Sequence, residues 1–322
     1  MLRWGLIGCG DVSEKKSGPA YHLVEGFELY AVSARSPGKA EDYAKRHQIS
    51  CFYNDAIKLI NDPKVDAVYI ATPPDSHLSL ALDVAKAGKI CCIEKPMAVN
   101  FSQCQQILKA FEPTHLPCFV AYYRRCLPGF KQIKSWLDDG LIGRVSHVNW
   151  QYSRAPSELD KSGTPNWRTQ HAIAPGGYFD DLASHGIDIL TFLLGPIVSA
   201  KGMTTNILGL YSSADAVVAN WLFENGATGV GAWHFATELY QDKVQILGDK
   251  GHIEFGVFAE TPAKLVSEAG TIECDMPKPD PIQGPFVQAI ADHLNHGIQH
   301  PSTAFSAAHT SWVMDHILGT LA

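Results

Sequence analysis

Leu2-Arg3-Trp4-Gly5-Leu6-Ile7-Gly8-Cys9-Gly10-Asp11-Val12-Ser13 sets an apolar run directly against a glycine pair. A short apolar stretch bounded by turn residues reads as a buried strand. Gly8-Cys9-Gly10 then supplies a tight turn whose backbone can approach a diphosphate, with Gly8, Gly10, Asp11 and Val12 as the expected contacts. The third small position of the dinucleotide fingerprint falls on Ser13, and Ser17-Gly18-Pro19 delays or kinks the helix that should follow. The opening is too short for a secretory signal and lacks its small-residue cleavage site.

Outward from this unit, apolar runs at 2–7, 27–33, 65–71, 89–93 and 118–121 alternate with helical spacing at 39–46, 55–60, 76–86 and 102–110. That alternation predicts parallel strands with crossover helices, hence a doubly wound Rossmann sheet. Ser36-Pro37 and Asp75-Ser76 mark helix starts, and Gly88 a stop. After a helix at 128–138, two-residue alternation at 145–152, 216–223, 228–235 and 244–247 predicts a large, mostly antiparallel sheet. Strong helical patterns at 180–194, 285–295 and 304–321 complete an α+β half. The expected organisation is a dinucleotide-binding domain at 1–121 and a substrate and oligomerisation domain at 122–322, the last helix able to pack back on the first domain.

The bulk numbers narrow the partners. At 322 residues two domains are the natural expectation, although one large barrel stays open on length alone. No run approaches the roughly 18 apolar residues of a membrane span. With 26 Lys plus Arg against 33 Asp plus Glu, a net charge of −7 and no basic block, nucleic acid is excluded as an expected partner. The eight cysteines are scattered without C-x-x-C spacing, so neither a disulfide framework nor a metal knuckle is expected, and a cytoplasmic location is. His293-Leu294-Asn295-His296 reads as a late surface helix, and no metal site is expected.

Two features carry chemistry. The second strand ends Val32-Ser33-Ala34-Arg35-Ser36, without the acid that would accept from the adenosine ribose hydroxyls. Ser33, Arg35 and Ser36 offer donors and a positive charge instead, so NADP(H) is the preferred cofactor and NAD(H) the second choice. Lys95 in Glu94-Lys95-Pro96 stands at the carboxyl end of a parallel strand, where such sheets bind ligands. Farther on, Asp181, His185 and Asp188 share one face of an otherwise apolar helix through i, i+4 and i+7 spacing.

The Gly8-Cys9-Gly10 turn, Ala71-Thr72-Pro73-Pro74-Asp75-Ser76-His77, Glu94-Lys95-Pro96, Asn166-Trp167-Arg168 and the stretch at 176–188 together resemble the Gfo/Idh/MocA family (glucose-fructose oxidoreductase, inositol dehydrogenase, MocA). Pro175 stands where that family commonly has a third glycine, and Ala183 where a glycine often precedes Ser-His. The resemblance implies a catalytic set of Lys95, Asp181 and His185. It also implies cofactor contacts from Thr72, Pro73, His77, Glu94 and Lys95, and substrate contacts from Trp167 and Arg168, with Asp181 and His185. Tyr122, Arg124 and Arg125, which lead into the second domain, are candidates to hold nicotinamide or substrate hydroxyls. The implied reaction exchanges hydride between a carbinol carbon of a sugar, polyol, inositol or related diol and the nicotinamide. His185 handles the alcohol proton, Lys95 stabilises charge on the substrate oxygen, and Asp181 orients His185 or contacts substrate. A homodimer or homotetramer through the C-terminal sheet is expected. Two other readings stay open: a non-catalytic dinucleotide-binding regulator, and a sugar-modifying enzyme with a tightly bound, recycled nicotinamide.

Overall fold

β1 (Leu2–Ile7) lies inside a six-stranded parallel sheet in the computed structural model, which describes residues 1–321. Around it the chain winds α1 (Gly18–Leu23), β2 (Phe27–Ser33), α2 (Lys39–Arg46), β3 (Cys51–Tyr53), α3 (Ala56–Ile60), β4 (Ala67–Ile70), α4 (His77–Lys86), β5 (Ile90–Ile93), α5 (Phe101–Phe111) and β6 (Cys118–Val120). The order β3-β2-β1-β4-β5-β6 reverses direction between β1 and β4, so the carboxyl ends of those two strands open a crevice. Helices cover both faces, which is why β4 is buried along its whole length. Local signals set the helix ends. Asp55 accepts from the Ile57 amide and Asn100 from the Gln103 amide as N-caps, and Gly88 leaves α4 at φ +66°. α2 starts after a left-handed Gly38, two residues past the expected Ser36-Pro37 signal.

The second sheet follows α6 (Pro128–Asp138). It comprises β7 (Val145–Ser153) and, after α7 (Glu158–Lys161) and α8 (Tyr178–Leu194), β8 (Ile197–Thr205), β9 (Ala216–Phe223), β10 (Thr228–His234), β11 (Gln241–Gly248), β12 (Gly251–Phe255), β13 (Ala263–Ser267) and β14 (Gly270–Cys274). Its order is β14-β13-β12-β11-β7-β10-β9-β8, antiparallel except where β10 runs parallel to β7. Trp150, Trp221 and Trp233 fill the inner face. α8 lies against them through Gly186, where a Cβ would come within 2.0 Å of the Trp150 ring, so only glycine lets the helix approach this closely.

After β14 come α9 (Gly284–His296) and α10 (Ala304–Leu318). The chain divides into two compact units, Met1–Cys126 with Lys278–Ala308, and Leu127–Pro277 with the residues from His309 onward. The expected boundary after 121 therefore moves five residues along. The segment that returns to the first unit is α9 and the start of α10 rather than the last helix as a whole. It returns because β6 is an edge strand that needs cover. The Ser302 hydroxyl donates to the Val120 carbonyl at 2.7 Å, and Thr303 bridges Phe119.

His300 locks this segment in its neutral form. Its Nδ1 accepts from the Ser302 amide at 3.0 Å while Nε2 lies 3.2 Å from the Phe286 carbonyl, and the residue is 2% exposed. Burial, first among the causes, pushes its pKa down to about 4. A base depressed on folding contributes stability that is full above its unfolded value of about 6.5 and is lost as pH falls towards 4. We expect acid to remove roughly 3 kcal/mol through this group. Chemical denaturation at pH 7 and pH 4.5 checks it: His300→Gln should flatten the difference, and an unchanged pH dependence would refute the assignment.

Candidate active-site groups in the two units

In the first unit, the crevice at the β1 and β4 ends is a cavity of about 400 Å³ lined by Gly8, Cys9, Gly10, Ser33, Arg35, Ser36, Lys39, Asn54, Thr72, Pro73 and Ser76, among others. Gly8 has φ +109°, and a Cβ there would lie 2.5 Å from the Ala71 carbonyl oxygen. A Cβ on Gly10 would meet no protein atom within 4 Å, so that backbone is open to a ligand. Ser13 occupies the third small position for a definite reason: its hydroxyl lies 2.8 Å from both the Gly8 and Gly10 carbonyls and ties the turn. The helix then opens as a π-turn at Ser13–Ser17 before α1, the irregularity signalled by Gly18-Pro19. Gly18 is obligatory there, since a Cβ would sit 2.3 Å from both the Ser13 carbonyl and the Tyr43 hydroxyl.

The cavity suits the adenosine and diphosphate part of a dinucleotide. It has an open backbone at Gly10, hydroxyls at Ser33, Ser36 and Thr72, and cations at Arg35 and Lys39. Lys39 was not singled out from the sequence; its place in the first turn after Gly38 was the available signal. Asp11 and Val12 follow the turn but are not among the lining residues. Cys9 is a packing group, its thiol pushed up to about 11 by burial and aimed at the Ser33 carbonyl.

Lys95 stands just past β5, and its neighbours hold its backbone. Glu94, expected to contact cofactor, is instead buried: one carboxylate oxygen accepts from the Tyr69 hydroxyl at 2.6 Å and the Gln283 amide at 2.7 Å, the other from the Lys95 amide at 3.1 Å. His77, also expected at the cofactor, is fully buried, with Nε2 2.8 Å from the Thr72 carbonyl and Nδ1 3.0 Å from the Pro96 carbonyl. It bridges the loops that follow β4 and β5, and burial pushes its pKa down. Tyr122, a candidate substrate contact, lies in the apolar core of the first unit. Arg124 and Arg125 are buried rather than solvated; Arg124 donates to the Tyr123 hydroxyl and Arg125 to the Pro301 carbonyl. For Glu94 and Arg125 a partner comes from the distant segment around Gln283 and Pro301.

The second unit builds the other cluster on the first turns of α8. Gly177, at φ +66°, opens the helix where any Cβ would meet the Ala214 carbonyl at 2.4 Å. Asp181 and His185 stand one turn apart, 8% and 5% exposed. Arg168 Nε donates to Asp181 at 2.5 Å while the guanidinium lies 4.5 Å from the Trp167 ring centroid. The Asn166-Trp167-Arg168 segment thus reaches α8 and pairs its guanidinium with the Asp181 side chain. The adjacent Asp180 behaves differently: burial, foremost, with Asp315 and Asp181 nearby, pushes its carboxyl up to about 7. Asp188 lies deeper and accepts from the Thr310 hydroxyl.

Sequence reasoning missed two supports of His185. Phe258 packs edge-on to its ring at 5.9 Å, and Tyr152 packs on Phe258 at 5.4 Å. Asp242 on β11 fixes that loop by accepting from the amides of Val257, Phe258 and Ala259. Only its acidic identity on a strand, just before an apolar run, hinted at such a role. A buried imidazole against an aromatic edge, one turn from an ion-paired carboxylate, is equipped to exchange a proton with a bound hydroxyl. Among the described residues no cluster of three His, Cys, Asp or Glu side chains could hold a metal ion.

Two family models match the chain in succession. One, described as an oxidoreductase family with an NAD-binding Rossmann fold, spans residues 2–122, and one described as the GFO/IDH/MocA C-terminal domain spans 130–254. An oxidoreductase of Formosa agariphila is 34% identical over 322 residues, 99% of each chain. Myo-inositol 2-dehydrogenase of Thermotoga maritima is 27% identical over 277 residues, 84% of this chain and 79% of its own. The solved structure of levoglucosan dehydrogenase in complex with NADH and levoglucosan has the same fold, with a TM-score of 0.87 over 99% of this chain and 96% of that one at 21% identity.

Proposed function

We propose that this chain, which belongs to the Gfo/Idh/MocA family of oxidoreductases, interconverts CH–OH and C=O on a sugar, polyol, inositol or related diol. It is an oxidoreductase with a Rossmann dinucleotide-binding domain. The observation that carries the reading is the glycine-lined cavity at the sheet's switch point, whose open Gly10 backbone and hydroxyl and cation lining match a dinucleotide. The bound nicotinamide supplies the hydride partner. The substrate class is supported by relatives that are inositol and levoglucosan dehydrogenases. In our assignment His185 takes or returns the hydroxyl proton, Lys95 stabilises charge on the substrate oxygen, and Asp181, with Arg168, sets the polarity around the imidazole.

For the cofactor we favour NADP(H). Ser33, Arg35, Ser36 and Lys39 line the cavity end where an NAD-selective site would present an acid. Initial-rate screening of sugars and polyols with both cofactors, followed by reduced-nicotinamide absorbance, tests the function and the preference together. We expect a Michaelis constant at least about tenfold lower for NADP(H), narrowed by Arg35→Ala. A tenfold preference for NAD(H) would overturn the selectivity, and turnover of nothing, with cofactor still bound, would leave a binding protein.

A second copy of the chain is expected on the outer face of the large sheet, as a homodimer or homotetramer. Met203, Val218, Leu222 and Val230 stand exposed there on β8, β9 and β10, an apolar stripe more typical of an interface than of a solvated face. Light scattering should give a mass of two or four chains; a monomer at micromolar concentration would contradict this. A cytoplasmic location fits eight cysteines of which none forms a disulfide among the described residues. No helix of the described residues is long and apolar enough to cross a membrane.

A further inference from the structure

Arg154 follows β7 directly and falls on the same side of the strand as Trp150 and Tyr152, by two-residue alternation. Its guanidinium lies 4.2 Å from the centroid of the Tyr178 ring, the first residue of α8. Among the described residues no carboxylate lies within ion-pairing distance of it and none of its side-chain N–H groups donates to a protein acceptor, although Nε is buried. Arg168, in contrast, is committed to Asp181. Arg154 meets Tyr178 through the ring face, while the Tyr178 hydroxyl donates to Asp160 at 2.6 Å, and Asp160 also takes the Ser157 hydroxyl and amide.

A second donor stands against the same ring. Tyr211 meets Tyr178 edge-on at 6.1 Å, and its hydroxyl is buried without a protein partner. Burial raises the Tyr211 phenol, the carboxylates of Asp215 and Asp160 add to the rise, and the Arg154 charge opposes it. The cluster also adjoins the proposed acid/base group. Tyr152, two residues before Arg154, packs on the Phe258 ring that packs on His185. The charges of both Arg154 and Asp181 act on Tyr152, whose pKa burial pushes up to about 12. The two carboxylates nearest the phenol are committed elsewhere, Asp215 to the Ile207 and Leu208 amides and Asp160 to Ser157 and Tyr178, so the Arg154 guanidinium and the Tyr211 O–H, beside a buried histidine, keep donors suited to an anion.

We infer that Arg154, with the Tyr211 hydroxyl, holds a carboxylate of the substrate, so that the sugar or polyol turned over is an acid of the uronate or aldonate kind. The inference rests on the oxidoreductase reading above and narrows its substrate class. A planar, two-pronged donor matches a carboxylate better than it matches a lone hydroxyl. A phosphate ester would satisfy the same cation and is a separate arm of the test.

The experiment compares kcat/KM for glucuronate and gluconate with that for glucose, myo-inositol and glucose 6-phosphate at saturating cofactor. We expect the wild type to favour the carboxylates over the neutral compounds by about tenfold or more. Arg154→Gln should shrink that ratio by a similar factor, chiefly through KM, with partial recovery in Arg154→Lys. Tyr211→Phe, which keeps the ring, should shrink it less. Calorimetric titration of glucuronate into the wild type and Arg154→Gln gives a readout independent of turnover, and binding should weaken in the variant. Neutral substrates preferred by the wild type would overturn the inference while leaving the oxidoreductase reading intact, and this arm does not depend on any variant folding. A preference for glucose 6-phosphate would overturn the carboxylate assignment. Turnover of none of the compounds, with cofactor bound, would overturn both.

Discussion

Lys95→Ala should lower kcat by about a hundredfold or more while leaving the cofactor dissociation constant within about twofold. The expectation comes from how the residue is mounted. Its amide is held by Glu94, whose carboxylate is also fixed by Tyr69 and Gln283, and the Pro96 carbonyl that follows is in contact with buried His77. Because backbone contacts hold the loop, removing the side-chain amine should remove a charge without moving the turn. A cation carried on a backbone held in this way would stabilise negative charge on the substrate oxygen more in the transition state than in the ground state, so the loss should fall on kcat rather than KM. Steady-state kinetics with a fluorescence titration of the cofactor separates the two effects. Turnover close to wild type would remove Lys95 from the mechanism, and a collapse of cofactor affinity with kcat preserved would make it a cofactor ligand only.

Gly8→Ala and Gly10→Ala should fail in opposite ways. At Gly8 the backbone is left-handed and the new Cβ would press within 2.5 Å of the Ala71 oxygen and 2.8 Å of its carbonyl carbon. Both contacts are to backbone that cannot swing aside, because the Ala71 amide is bonded to the Ile7 carbonyl at 2.8 Å. Strain of this kind costs about 2–5 kcal/mol in total, enough to lower the melting temperature by about 5 °C or more and to weaken the cofactor with it. At Gly10 no protein atom lies within 4 Å of the added methyl, so stability should stay within about 1 kcal/mol. The methyl would instead occupy the open backbone where a diphosphate approaches, and cofactor affinity should fall at least about tenfold. Thermal melts paired with cofactor titrations check both. If Gly10→Ala binds cofactor as the wild type does, the diphosphate is not seated on this turn.

The sheet architecture was legible because buried parallel strands announce themselves as continuous apolar runs. β1, β2 and α2 have the bounds that periodicity predicts, as do α6 and β9. β3, with three residues, and β8, β12, β13 and β14, with glycines, charges and partial burial, carry too little alternation to be seen. The return of residues 278–308 to the first unit was not legible either, because cover for an edge strand is a tertiary demand that leaves no local period. Site residues divide the same way. Asp181 and His185 could be paired from helical spacing, and Gly8 and Gly10 from their position after a strand. The family resemblance, rather than any spacing, put Glu94 and His77 at the cofactor. Their actual partners, Gln283 and the Thr72 and Pro96 carbonyls, meet them only in the folded chain. Arg154 and Asp242 fall outside every motif and became visible only through what surrounds them.

Hydride should pass directly between a carbinol carbon of the substrate and the nicotinamide ring when both are bound. The most direct test of this transfer uses a turned-over sugar or polyol acid carrying deuterium on the reacting carbon, with oxidised cofactor, and mass spectrometry of the reduced nicotinamide that forms. Each reduced cofactor molecule should carry one deuterium, with none in the solvent. Reduced nicotinamide without deuterium, formed at the same rate as product, would contradict direct transfer.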